Sequence, residues 1–113
     1  MQNLAQLNCQ PCDKNAPVLT AEEMAVLLPG LNGWQVIMEI GIHKLTQCFV
    51  TKNYKNSMAF TNAVAQLADS VNHHPLLIVE YGKVTVIWWS HNIEGLHKND
   101  FIMAAKTSQL FTQ

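Results

Sequence analysis

Residues 69–91 read DSVNHHPLLIVEYGKVTVIWWSH, and the change of periodicity in this stretch decides the fold. On its N-terminal side, apolar residues recur at spacings of four, three and four from Phe60 to Val71, which is typical of one apolar helix face. The helix must stop before Pro75, because the residue ahead of a proline is pushed out of the α region. The stretch therefore predicts a helix that ends near residue 72 and is followed by extended chain.

Two strand-like runs follow this helix, at residues 76–81 and 83–89, and Gly82 between them predicts a hairpin. Both runs are apolar at nearly every position, which indicates that both faces of these strands are covered. An earlier pair of runs, at residues 34–39 and 44–50, predicts another hairpin.

Helices flank both hairpins. Thr20 and Glu23 have the spacing of a capping box and predict the start of a first helix. A C-terminal helix is expected from about residue 97 to 110. The order α-β-β-α-β-β-α predicts an α+β domain, a four-stranded antiparallel sheet with helices packed on one face. If the other face is apolar too, a partner subunit is the expected cover.

The composition fits one small domain. The chain has 113 residues with a formal net charge of −1, and its seven Lys residues, the only Lys or Arg side chains in the sequence, are scattered. Nucleic-acid binding requires a basic face, and spanning a bilayer requires about 20 apolar residues; the sequence offers neither. Residues 1–18 are expected to form a flexible N-terminal arm without the features of a secretory signal, and residues 19–113 form the domain. We expect a cytoplasmic protein with no nucleic-acid or membrane partner.

The cysteines give little indication of a site. Cys9 and Cys12 have the C-x2-C spacing of a zinc half-site or a redox pair, but no second such pair follows. A small metal protein using these thiols with histidines remains an alternative; we expect the pair to be incidental. Cys48 lies in an apolar run, which predicts a core position.

Three histidines are expected to converge. If the second hairpin turns at Tyr81-Gly82, paired residue numbers sum to about 163, and a turn one residue later gives a sum of about 165. Either register places His91 opposite residues 72–74, and opposed side chains have Cβ atoms roughly 4.5–5.5 Å apart. His91 should therefore return to the corner formed by His73-His74.

Such a corner suits acid-base chemistry better than metal binding. Adjacent residues diverge on a helix or strand, so at most one of His73 and His74 could easily point the same way as His91, and no metal is expected. Imidazole can gain or lose a proton near neutral pH at modest cost. Asp69 stands four residues before His73 and could orient its ring if the last helical turn holds. No nucleophile motif accompanies these groups.

Several spaced positions resemble the signature of the pterin-4a-carbinolamine dehydratase family. An acidic residue, a His-His-Pro, an aromatic residue, a third histidine and an aspartate recur at the family's spacings; here they are Asp69, His73, His74, Pro75, Tyr81, His91 and Asp100. The likeness covers about residues 19–112.

The resemblance implies the activity, the partners and the site. It implies dehydration of 4a-hydroxytetrahydropterin to quinonoid dihydropterin, a link to aromatic amino-acid hydroxylases, and a homodimer or homotetramer. The pterin is the substrate, and no further cofactor is implied. His73 and His91 would be the acid-base pair, His74 would hold the pterin and Asp69 would support His73. The implied substrate-binding residues are Asn72, His73, His74, Trp89, Ser90, His91 and Asn92.

This chain also departs from the family pattern. Asn72 and Asn92 stand where acidic residues are frequent, and Leu77 stands where a Trp is frequent. His97 takes a helix-start position often held by Ser, which should weaken that cap. These differences bear on substrate preference and affinity. The alternative to an enzyme is a non-catalytic family member that acts as a dimerisation or regulatory binding module.

Overall fold

The order of helices and strands agrees with the sequence prediction. The computed structural model describes residues 3–10 and 15–111. Within them, the elements in chain order are α1 (Ala21–Leu27), β1 (Gln35–Glu39), β2 (Ile42–Val50), α2 (Tyr54–Val71), β3 (Leu76–Val79), β4 (Lys83–Trp88) and α3 (Lys98–Leu110). Short 3-10 turns also occur at Leu4–Gln6 and Leu28–Gly30. No helix in the described part of the chain is long and apolar enough to cross a membrane.

The four strands form one antiparallel sheet in the spatial order β1-β2-β4-β3. In the first hairpin Glu39 pairs with Ile42, so the turn contains only Ile40 and Gly41. Their φ angles are 51° and 74°, as expected for the primed turn that matches strand twist. In the second hairpin Leu76 pairs with Ile87, a residue-number sum of 163, so the first of the two predicted registers is correct.

Side chains cap the N-terminal ends of the three α-helices. The predicted capping box of α1 is present, with Thr20 and Glu23 each accepting a backbone N–H of the other. Helix α2 is capped by the Asn53 side chain, which accepts the N–H of Asn56. His97 does not weaken the start of α3 as expected, since its Nδ1 accepts the N–H of Asn99 at 3.0 Å.

The core lies between the helices and one face of the sheet. Alternate residues of the central strands point into it, among them Leu45, Phe49 and Trp88, and each is at most 3% exposed. Val64 of α2 and Phe101 of α3 cover them and are fully buried. Burying a side chain of this size stabilises the fold by roughly 1.5–3 kcal/mol. The predicted packing of helices on one face follows from this alternation.

The opposite sheet face remains largely open in the described chain. Val50, Leu76 and Ile78 on this face are 44–59% exposed. The prediction that Cys48 is a core residue is wrong, because Cys48 is exposed. Its neighbour Phe49 is buried, and successive residues of a strand point to opposite faces.

Part of the predicted N-terminal arm lies against the domain. The turn at Leu4–Gln6 contacts α3, and both Leu4 and Ala5 are buried. The Lys106 Nζ donates a hydrogen bond to the Ala5 carbonyl at 2.8 Å. Residues 3–10 therefore form a docked segment.

Candidate active site

An open cleft of about 900 Å³ lies where α2 ends, beside the loop after β4 and the first turn of α3. His73, His74 and His91 all line this cleft. The sequence prediction that these three histidines converge is therefore confirmed. Asn72 and Asn92 line it as well, so its rim near the histidines carries neutral amides.

A sharp chain reversal brings His73 and His74 to the cleft. Helix α2 ends at Val71, and Asn72 adopts a left-handed conformation with φ 53° and ψ 43°. Asn is one of the few non-glycine residues that adopts this conformation at helix ends. The His73 N–H then bonds back to the Ala68 carbonyl at 3.2 Å. The residues after Asn72 thus leave the helix axis and enter extended chain.

His91 reaches the cleft because β4 ends early. The strand stops at Trp88, and Ser90 bonds to Gly95 instead of continuing the ladder. The loop between these two residues presents His91 beside the reversal at Asn72. The His91 ring stacks on Trp89 with centroids 4.2 Å apart and planes inclined by 13°.

The buried carboxylate of Asp100 fixes His73. Asp100 is fully buried, and its Oδ1 lies 2.6 Å from Nε2 of His73. Its Oδ2 accepts hydrogen bonds from the Ser90 hydroxyl at 2.8 Å and the His97 N–H at 2.9 Å. A buried carboxylate requires such partners, because an uncompensated charge in the interior is costly. Stacking on Trp88, at 5.5 Å between centroids, supports the same imidazole.

The prediction that Asp69 supports His73 is wrong. Asp69 Oδ1 lies 2.9 Å from Nε2 of His74, and both side chains of this pair are mostly exposed. The prediction assumed that the helix continued through His73, but the left-handed Asn72 breaks the i, i+4 relation. Asp100, named from the sequence only as a signature position, takes the supporting contact.

Two of the expected substrate-binding residues lie outside the cleft lining. Ser90 is fully buried and bonded to Asp100, so it holds the carboxylate that holds His73. Trp89 lies on the open sheet face, where its ring stacks on His91. The Lys44 ammonium makes a cation–π contact with the same ring, 4.1 Å from the ring centroid. Both residues therefore support cleft residues in this structure.

The sequence analysis missed one wall of the cleft. Asn8, Cys9 and Gln10 line it from the docked N-terminal segment, together with Asn99 of α3. Burial raises the pKa of the Cys9 thiol above its ordinary value of 9.0, although nearby Lys106 lowers it and Asp100 raises it further. The thiol is therefore neutral at physiological pH. No periodicity marks this segment, so a pattern-based search could not find it.

Metal-binding geometry is lacking within residues 3–10 and 15–111, where no three His, Cys, Asp or Glu side chains are grouped as ligands. Cys12 of the C-x2-C pair lies outside these residues, so the predicted role of the pair is not described here.

Comparison with known proteins shows which family the chain belongs to. A solved structure from Brucella melitensis, described as a transcriptional coactivator/pterin dehydratase, superimposes with a TM-score of 0.76 at 30% identity, covering 83% of this chain and 98% of that one. A Marinobacter nauticus protein named "Putative pterin-4-alpha-carbinolamine dehydratase" is 48% identical over 98% of this chain and 100% of its own. The family model for pterin 4 alpha carbinolamine dehydratase matches residues 17–110, so the docked N-terminal segment precedes the matched region. The chain belongs to the pterin 4 alpha carbinolamine dehydratase family, a family of hydro-lyases.

Proposed function

We propose that this enzyme dehydrates 4a-hydroxytetrahydropterin to quinonoid dihydropterin and water, with His73 and His91 as its acid-base pair. The observation that supports this most is one open cleft lined by three histidines, one of them held by a fully buried carboxylate. General acid-base catalysis by positioned histidines contributes about 10²–10⁴-fold to a rate, enough for an elimination without a covalent intermediate.

The reaction requires two proton transfers and no change of oxidation state. The N5 proton leaves the ring, the C4a–N5 bond becomes double, and the C4a–O bond breaks. The departing hydroxyl takes up a proton and leaves as water. One group must therefore accept a proton near N5 and another must donate one near the oxygen.

The contacts of His73 define the nitrogen that is available for this work. Asp100 accepts at Nε2, so the Nε2 of His73 carries the hydrogen and Nδ1 remains for a substrate. Either direction of proton transfer by His73 uses Nδ1. His91 is exposed at the cleft and supplies the second imidazole. His74, Asn72 and Asn92 would hold the polar edge of the pterin through hydrogen bonds.

The biological setting follows from the same chemistry. A 4a-hydroxytetrahydropterin arises when an aromatic amino-acid hydroxylase uses its cofactor, so we propose that the enzyme recycles that cofactor in the cytoplasm. The exposed apolar residues Val50, Leu76 and Ile78 support a homodimer or homotetramer that covers the open sheet face. The Brucella structure is also described as that of a transcriptional coactivator, so a regulatory binding module is the second candidate function for this chain.

Stopped-flow absorbance tests the reaction. A hydroxylase generates 4a-hydroxytetrahydropterin in place, and its decay is followed with and without this protein. We expect acceleration, with the rate falling about 10²-fold or more in His73→Ala and in His91→Ala. His43→Ala, on β2 and away from the cleft lining, is the matched control and should retain the parent rate. No acceleration at micromolar parent protein would overturn the proposal and favour the binding module.

A further inference from the structure

Two hydrogen bonds to one side chain hold the N-terminal segment against the cleft. The side chain of Asn99 accepts the Gln10 N–H at 2.8 Å and donates to the Gln10 carbonyl at 2.6 Å. Asn99 itself is 4% exposed, so both bonds are shielded from water. Asn99 directly precedes Asp100, so the residue that binds Gln10 and the residue that binds His73 lie in the same turn of α3.

Further contacts fix the same segment. Lys106 Nζ bonds to the Ala5 carbonyl, and Leu4 packs in the core cluster. Burial of Leu4 and Ala5 opposes release of the segment, because apolar surface would return to water. Packing of Leu4 and Ala5 and the buried amide of Asn99 therefore hold residues 8–10 at the cleft.

We propose that residues 8–10 form a substrate-binding wall of the pterin cleft and that Asn99 is the positioning residue of this wall. The inference rests on the proposed function and adds a recognition element that precedes the matched region, residues 17–110. A wall of amides and a neutral thiol suits an uncharged polar heterocycle such as a pterin. It acts on ground-state and transition-state binding alike, since it carries no group that the proton transfers use.

Protection of Cys9 from alkylation tests the wall directly. The full chain is treated with iodoacetamide with and without saturating 7,8-dihydropterin, the stable tautomer of the product ring, and each cysteine is scored by fragment mass spectrometry. We expect the pterin to slow modification of Cys9 at least about tenfold, because pocket ligands bury most of their surface against the lining. N-acetylcysteine added to both samples is the control and should react equally fast in the two.

Kinetics of Asn99→Ala separate positioning from general structural damage. Loss of two buried hydrogen bonds should raise KM for the 4a-hydroxytetrahydropterin about tenfold with kcat nearly retained, the pattern of lost uniform binding. Asn56→Ala is the matched control, because the Asn56 amide also bonds to a backbone carbonyl, that of Thr51 at 3.0 Å, but far from the histidines. It should leave both constants unchanged.

The outcomes distinguish this inference from the proposed function. Equal modification of Cys9 with and without a pterin that demonstrably binds would overturn the wall and leave the dehydratase proposal standing. A fall in kcat without a rise in KM in Asn99→Ala would also overturn it, because the residue would then act on the histidines. Failure of the parent to bind 7,8-dihydropterin and to dehydrate the substrate would overturn both proposals.

Discussion

The described part of the chain contains two imidazole–carboxylate pairs in neighbouring positions, and their surroundings differ completely. His73 and Asp100 are 2.6 Å apart, with side chains 17% and 0% exposed. His74 and Asp69 are 2.9 Å apart, with side chains 54% and 81% exposed. Water screens the exposed pair, whereas the buried carboxylate depends on its protein donors. Similar distances therefore conceal different roles: the first pair holds one ring in place, and the second contributes little to either stability or orientation.

Asp100→Asn should break this contrast with the largest effect. The amide cannot accept from His73, Ser90 and His97 together, and its NH₂ favours the opposite tautomer of His73. We expect the dehydration rate to fall about 10²-fold or more and the free energy of unfolding to fall by about 1–3 kcal/mol. Stopped-flow decay and urea denaturation measure the two quantities. A rate within twofold of the parent would show that the carboxylate does not support catalysis.

Ser90→Ala should give an intermediate effect. It removes one of the donors to Asp100 while the carboxylate and the histidine remain, and a hydrogen bond to a charged group is worth about 1.5–3 kcal/mol. We expect a roughly tenfold slower reaction and a measurable loss in urea stability. Thr61→Val, which removes a hydroxyl bonded to the Ser57 carbonyl outside the cleft lining, is the control. Equal behaviour of the two variants would contradict the proposed chain of support from Ser90 to His73.

Asp69→Asn is the matched counterpart of Asp100→Asn on the exposed pair. Exposed ion pairs contribute about 0–1 kcal/mol, so the free energy of unfolding should change by less than about 0.5 kcal/mol. The dehydration rate should stay within about twofold, since His73 keeps its own carboxylate. A loss as large as that in Asp100→Asn would show that His74, not His73, carries the acid-base role.

The prediction with the smallest expected effect concerns the pKa of the Cys9 thiol. Burial raises the pKa of the Cys9 thiol, with opposition from Lys106. Because the folded state holds the proton more tightly, this contribution to stability is present below the ordinary value of 9.0 and is lost as pH rises through the raised pKa. Alkylation of Cys9 should accordingly reach its midpoint at higher pH than alkylation of N-acetylcysteine. A midpoint at or below that of the free thiol would contradict the docked segment.

The periodic parts of the fold could be predicted from sequence. The apolar stripe of α2 and the two hairpins follow directly from residue spacing, and the spacing left only two registers for the second hairpin. One of these is the observed sum of 163, which returns the end of β4 to the side of His73 and His74, and the loop after β4 then presents His91 at the cleft. Local patterns are sufficient here because the same residues that form each element also form its buried face.

The predictions that failed depend either on the backbone conformation of a single residue or on packing between distant segments. Because Asn72 is left-handed, Asp69 contacts His74 instead of His73. The periodicity of the sequence does not predict the φ angle of Asn72. Burial of Asp100 requires α3 to lie under Ser90, a contact across the fold. Strand parity exposes Cys48 although Phe49 and Val50 after it are apolar. The docking of residues 3–10 depends on Asn99, almost ninety positions away.

The tautomer of His73 tests the central claim most directly. Long-range ¹⁵N–¹H correlation spectra of the neutral imidazole, assigned with His73→Gln, report which ring nitrogen carries the hydrogen. We expect the hydrogen on Nε2, where it bonds to Asp100, and an Nδ1 resonance that shifts when 7,8-dihydropterin is added. Hydrogen on Nδ1, or an Nδ1 resonance unchanged by a bound pterin, would contradict the assignment of His73 as the positioned acid-base group.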